Sequence, residues 1–281
     1  MPLTAPPEPR TSHEEGTVPP ATLSDHRVPH EGGMMPTALS PLEGGTVPLP
    51  ALSEHLRGLA GERGGVLGVP PGLVADDSPG WIPVPELARE PYGPLLALVD
   101  ETAERWGAPR HVAAALLWKT YTYWNTLPMV LGWALERRVP LMRLADTLVR
   151  PSDAGVTIAA TAVTVAVLPG DPLAGAPGTT VVPDLASAIR EALLDGQHPL
   201  IRALCAQTRV GERTLWGSTA EAVTHPLLSL VPRDDVTRLL TEIGPPVDGL
   251  LVPDGDGYRR RTCCLWVTLP DADPCSTCCV R

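Results

Sequence analysis

Five of the six cysteines fall in the last 19 residues, as Cys263-Cys264 and then Cys275, Cys278 and Cys279. No other feature constrains the fold as much, because that segment must bring its two ends together around something thiolates bind, or cross-link them. The chain opens MPLTAPPEPRTSHEEG, with neither the basic lead nor the apolar run of an export signal. Its longest apolar stretch, 156–168, has 13 residues, three of them Thr, and is too short for a membrane-crossing helix. The expected setting is the reducing cytoplasm, where cysteines act as metal ligands or redox groups more often than as disulfides.

The residues themselves leave several chemistries open. A four-thiolate zinc site is common, and Cys275-x-x-Cys278 has knuckle spacing, but zinc ribbons space both ligand pairs and Cys263 and Cys264 are adjacent. A thioredoxin-type pair at Cys275 and Cys278 would leave the 263–264 doublet unexplained, and no matching βαβ pattern precedes it. Four thiolates also satisfy a 2Fe–2S cluster, whose two irons suit side chains that diverge from neighbouring positions.

Upstream, residues 1–50 are rich in Pro, Gly, Ser, Thr and Glu without helical or strand period, which predicts a disordered segment. Within it Gly16-Thr17-Val18-Pro19 and Leu23-Ser24-Asp25-His26 recur as Gly45-Thr46-Val47-Pro48 and Leu52-Ser53-Glu54-His55, a local duplication whose second copy runs into a helix over 52–62. Residues 51–256 form the main domain and 257–281 the cysteine segment. Helical period marks 92–106, with Leu95, Leu96, Val99, Thr102, Ala103 and Trp106 on one face. Pro109 opens a helix over 110–125, Pro128 opens another that ends at Arg137-Arg138, and Pro140 stops it. Val156-Thr157-Ile158 and 163–167 read as strands, followed after a Gly/Pro-rich loop by 179–182. Asp184 caps a helix to Leu194 that ends at Gly196, with further helices near 200–208, 212–224 and 234–243, and a short strand over 257–267. The fold class is α+β, helix-rich, with a small mixed or antiparallel sheet.

The pattern Cys263-Cys264, ten residues, Cys275, two residues, Cys278 resembles the C-terminal signature of the FhuF-type ferric-siderophore reductases, with the spacing intact. Arg260-Arg261-Thr262 is similar to that family's basic lead-in. Leu215-Trp216-Gly217 resembles a segment shared with the C-terminal region of IucA/IucC-type siderophore synthetases. The resemblance covers roughly residues 90–281. It implies a 2Fe–2S cluster on Cys263, Cys264, Cys275 and Cys278, and an oxidoreductase that reduces siderophore-bound ferric iron in the cytoplasm. Cys279 departs from the signature and is either a substitute for Cys278 or a reactive neighbour. The implied partners are a ferric siderophore, of hydroxamate type, and a separate electron donor such as a ferredoxin or reductase, with room for a peripheral membrane contact. A structural zinc module and a siderophore-biosynthesis relative are the alternatives.

Composition narrows the remaining classes. A net charge of −10 with a single lysine, Lys119, argues against nucleic acid, which demands clustered cations. No P-loop, GxGxxG after a strand or GxSxG elbow occurs, so no bound nucleotide, flavin or acyl-transfer site is expected. The seven histidines are scattered and form no metal-binding spacing. Arg259, Arg260 and Arg261 adjoin the doublet; strand alternation would send Arg260 to one face and its neighbours to the other. Positive charge there would raise the potential of a cluster. Trp118, Tyr121, Tyr123 and Trp124 are expected in the core, as is Trp216, with Trp266 shielding the cysteines. Cys205 reads as a small apolar residue within a helix.

Overall fold

A computed structural model describes residues 49–63 and 66–280. Most of the expected disordered segment, and the first copy of its duplication, therefore lies outside the described residues. The architecture is α+β: seven α-helices and three small sheets among the described residues. Among them no helix is long and apolar enough to cross a membrane.

The core is organised around one helix, α4 (Arg110–Glu136), which is buried from Val112 to Gly132. A helix apolar on every side has to be enclosed, and α4 is: α1 (Pro50–Glu62), α3 (Gly93–Trp106), α5 (Leu185–Thr208) and α6 (Glu212–Thr224) all pack on it. A short α2 (Val84–Leu87) precedes α3, and α7 (Arg233–Ile243) packs against α5 and α6.

Strands β1 (Ile82–Pro83), β3 (Thr147–Ser152) and β4 (Gly155–Ala160) form an antiparallel sheet in the order β1-β3-β4. A mixed sheet joins β2 (Val139–Leu141), β5 (Thr164–Val167) and β6 (Thr179–Val181). The expected strands at 156–158 and 163–167 thus exist but belong to different sheets. The last sheet is the antiparallel hairpin of β7 (Leu251–Asp254) and β8 (Gly257–Arg260).

Two expected helix breaks are absent, for the same reason. Pro128 does not open a helix but lies inside α4, and the gap expected between Gly196 and the helix near 200–208 is absent, Pro199 lying inside the continuous α5. An internal proline forfeits one backbone hydrogen bond and crowds the preceding turn, yet both helices are held by burial along their length. Gly196 is not a helix end either. A Cβ there would sit 2.7 Å from the carbonyl oxygen of Met142, so the residue is glycine because α5 runs tight against that backbone. Pro140, expected only as a stop, is paired within β2. Asp184 caps α5 as expected, its Oδ1 accepting the Ser187 N–H at 2.6 Å.

Candidate metal–thiolate site

The strand expected over 257–267 is shorter, because β8 ends at Arg260 and the chain then turns. Its far edge is closed by the chain's own return, with Arg260 N–H donating to Thr277 O at 2.9 Å, while Arg261 N–H extends the pairing with the β7 side by donating to Leu250 O at 2.9 Å. Cys263 and Cys264 follow in irregular backbone, and a single 3-10 turn, Trp266–Thr268, leads round to Cys275. This loop brings the two ends of the cysteine segment together.

Two of the sulfurs meet. Cys264 Sγ lies 3.9 Å from Cys275 Sγ. Two thiolates on one tetrahedral ion at about 2.3 Å would be about 3.8 Å apart, so this pair stands at the separation of ligands sharing a metal. The contact between the two sulfurs, with burial, pushes Cys264 up, while the same contact brings Cys275 down to about 5. Lys119 favours the thiolate at both. Burial first, then the neighbouring Cys263 and Cys278, push Cys279 up. Cys263 Sγ accepts the Leu265 N–H at 3.3 Å. To deliver that amide, Leu265 takes φ 65°, a left-handed conformation uncommon for a bulky side chain. Cys278 is buried, and its N–H donates to Cys275 O at 3.0 Å. Among the described residues no three of His, Cys, Asp and Glu converge on one point as a ready cage. By donor chemistry and by the 264–275 spacing, the residues fit a metal–thiolate group.

Beneath the sulfurs lies a buried ionic cluster. Arg260, 1% exposed, points inward, while Arg259 and Arg261 are exposed, as alternation requires. Its Nη1 donates to Glu221 Oε2 at 3.1 Å and its Nη2 to Thr214 O and Ser218 Oγ, both at 3.1 Å. Glu221, on α6, also receives Lys119 Nζ of α4 at 3.0 and 3.2 Å. Thr277 completes the set by donating to Glu221 Oε1 at 2.8 Å, and its Oγ1 lies 3.8 Å from Cys275 Sγ. Burial would raise the Glu221 carboxyl, but Lys119, Arg260 and Thr277 hold it at about 2. It is therefore a fixed anion between two fixed cations.

The segment docks on α6 at Gly217. A Cβ there would come within 1.9 Å of Thr262 Oγ1, so only glycine admits the residue that precedes the doublet. Leu215 O accepts the Trp118 Nε1–H at 3.0 Å, tying α6 to α4 at the same level. The Leu215-Trp216-Gly217 motif is thus a docking surface for the cysteine segment, and Trp216 is packed into the core. Trp118, Tyr121, Tyr123 and Trp124 are buried as expected. Trp266 lies edge-on to Trp106, centroids 5.1 Å apart, over Val112, Leu116 and Leu269. Cys205 is half-buried in α5 against the core.

Sequence reasoning missed Lys119 and Glu221. Lys119 had one signal, being the only lysine and set in an otherwise apolar run; Glu221 had none. No protein-family model matches the chain, and no curated protein matches it as a relative.

Proposed function

We propose that the chain carries a 2Fe–2S cluster on its C-terminal cysteines and reduces siderophore-bound ferric iron, one electron at a time, in the cytoplasm. The observation that carries this reading is the 3.9 Å approach of Cys264 Sγ to Cys275 Sγ across one loop that also holds Cys263, Cys278 and Cys279. Two bridged irons need two thiolates each, whereas one zinc ion needs four on a single point. When bound, such a cluster supplies one electron at contact distance to Fe(III) held by hard oxygen donors, and the Fe(II) formed is held far more weakly. The electron enters from a separate one-electron donor of the ferredoxin or reductase class.

The chain's own residues have defined tasks in this scheme. Cys263, Cys264 and Cys275 are three of the ligands, and the Cys278-Cys279 doublet supplies the fourth. The Leu265 amide donates to Cys263 Sγ, and hydrogen bonds to cluster sulfurs raise the potential. Thr277 and Gly217 hold the segment against α6. Trp106 and Trp266 cover its side with apolar surface. No proton needs to move, so no acid, base or nucleophile is required.

Anaerobic purification followed by absorption, EPR and metal analysis tests the reading. A coloured protein with iron and sulfide is expected; a colourless protein with stoichiometric zinc overturns it. Cys264→Ser or Cys275→Ser should abolish the visible absorption and the reduction of a ferric hydroxamate, while Cys205→Ser keeps both.

A further inference from the structure

Ion pairs inside proteins are usually balanced, because an uncompensated buried charge is costly. The cluster under the cysteines is not balanced. Lys119, Arg260 and Glu221 are 6%, 1% and 4% exposed, and two cations stand against one carboxylate. Nothing in the fold of α4 and α6 alone requires this. The neutral contacts between the same helices, through Thr122 and Thr219, show that the interface can be closed without charge.

A chain of contacts connects the ionic cluster to the sulfurs. From Lys119 Nζ the path runs 3.2 Å to Glu221 Oε1, 2.8 Å to Thr277 Oγ1 and 3.8 Å to Cys275 Sγ, which itself lies 3.9 Å from Cys264 Sγ. Arg260 leads by its backbone through Arg261 and Thr262 to the doublet, and its N–H binds Thr277 O. Both ends of the cysteine segment are therefore anchored on the same three charges.

We propose that Lys119, Glu221 and Arg260 form a potential-setting and positioning triad, whose net positive charge stabilises the anionic metal–thiolate group and whose removal, charge by charge, shifts that group in opposite directions. The proposal rests on the metal–thiolate reading above. A four-thiolate 2Fe–2S centre gains one negative charge on reduction, so a fixed cation beneath it favours the reduced state and a fixed anion opposes it. None of the three residues touches the group directly; they act through Thr277 and the backbone of 260–264.

The test uses the full chain as wild type, Lys119→Met, Lys119→Arg and Glu221→Gln. Midpoint potentials are read by EPR-monitored titration after anaerobic reconstitution with iron and sulfide. In a second arm the apo chain is titrated with Co(II), reading the thiolate-to-metal absorption band. Lys119→Met should lower the one-electron reduction equilibrium about tenfold, equivalent to about 59 mV, and Glu221→Gln should raise it by a similar factor. Lys119→Met should also weaken Co(II) binding severalfold, whereas Lys119→Arg, which keeps the charge, stays within about twofold of wild type in both arms. A purely structural role would move Lys119→Met and Glu221→Gln in the same direction, and that result overturns the proposal. So does a Lys119→Met protein within twofold of wild type in both measurements, a comparison that stands even where Glu221→Gln fails to fold. A wild type that takes up no cluster sinks the iron–sulfur reading instead, and the Co(II) arm then decides the charge role by itself.

Discussion

Between α4 and α6 the core holds two polar clusters less than a turn apart on α4, one neutral and one charged. In the neutral one, Gln197 of α5 is fully satisfied: Oε1 accepts from Thr122 at 3.0 Å and Thr219 at 2.9 Å, and Nε2 donates to Asn125 at 2.9 Å and Thr126 at 3.0 Å. In the charged one, Lys119 and Glu221 occupy the same two helices, but their partners Arg260 and Thr277 come from the C-terminal segment. The neutral cluster closes on three helices without the C-terminal segment, leaving only Asn125 Nδ2 of its polar atoms unpartnered. The charged one is incomplete without the segment that carries the cysteines. Uniform polar burial would have served stability alone; charge is used where the chain holds a cysteine-rich loop.

The comparison can be broken at its charged end first. Glu221→Ala leaves two buried cations unpaired and should cost about 3–5 kcal/mol in urea unfolding, with loss of the cysteine site. The pH dependence follows from the same residue. Its folded-state value, about 2, lies below the ordinary 4.5. The stability it contributes is therefore complete above about 4.5 and is lost as pH falls towards 2. Unfolding midpoints measured across that window should fall in wild type and show a shallower slope in Glu221→Gln.

At the neutral end, Gln197→Leu strips four buried partners of a hydrogen bond and should cost about 3 kcal/mol. Co(II) affinity should stay at the wild-type level, since that cluster does not reach the cysteines; a matching loss of affinity would erase the distinction drawn between the two. The smallest effect is expected from Gly217→Ala. Its added methyl displaces Thr262, and the global cost should be about 1–2 kcal/mol. Hydrogen exchange should rise over 257–280 while α4 remains protected. Equal deprotection of both would show that the segment is not a separable layer.

Much of the fold was legible in single residues. Asp184 marked a helix start, 212–224 and 234–243 carried helical period, and β-branched runs marked β4 and β5. Helix ends were misjudged at Pro128 and Gly196, where local propensity pointed to a break and enclosure by neighbouring elements overrode it. The sheet partners of β4 and β5 were not legible, because pairing depends on which strand lies alongside and not on a strand's own residues. At the site, the alternation of Arg259, Arg260 and Arg261 followed from strand geometry, but which face was buried did not.

The sequence by itself determined the inventory and spacing of thiols, because ligand chemistry is a property of side-chain type and of the chain length between them. It also determined that Trp118, Tyr121, Tyr123 and Trp124 would be buried, since aromatics at helical spacing carry a large apolar surface that has no stable place in water. Only the tertiary structure decided what lies beneath the thiols. Lys119 and Glu221 are 102 residues apart, and Glu221 and Thr277 are 56 apart. Electrostatic pairing acts over a few ångströms of space and has no memory of separation along the chain, so the charge that the cysteines meet existed only once α4, α6 and the C-terminal loop had packed together.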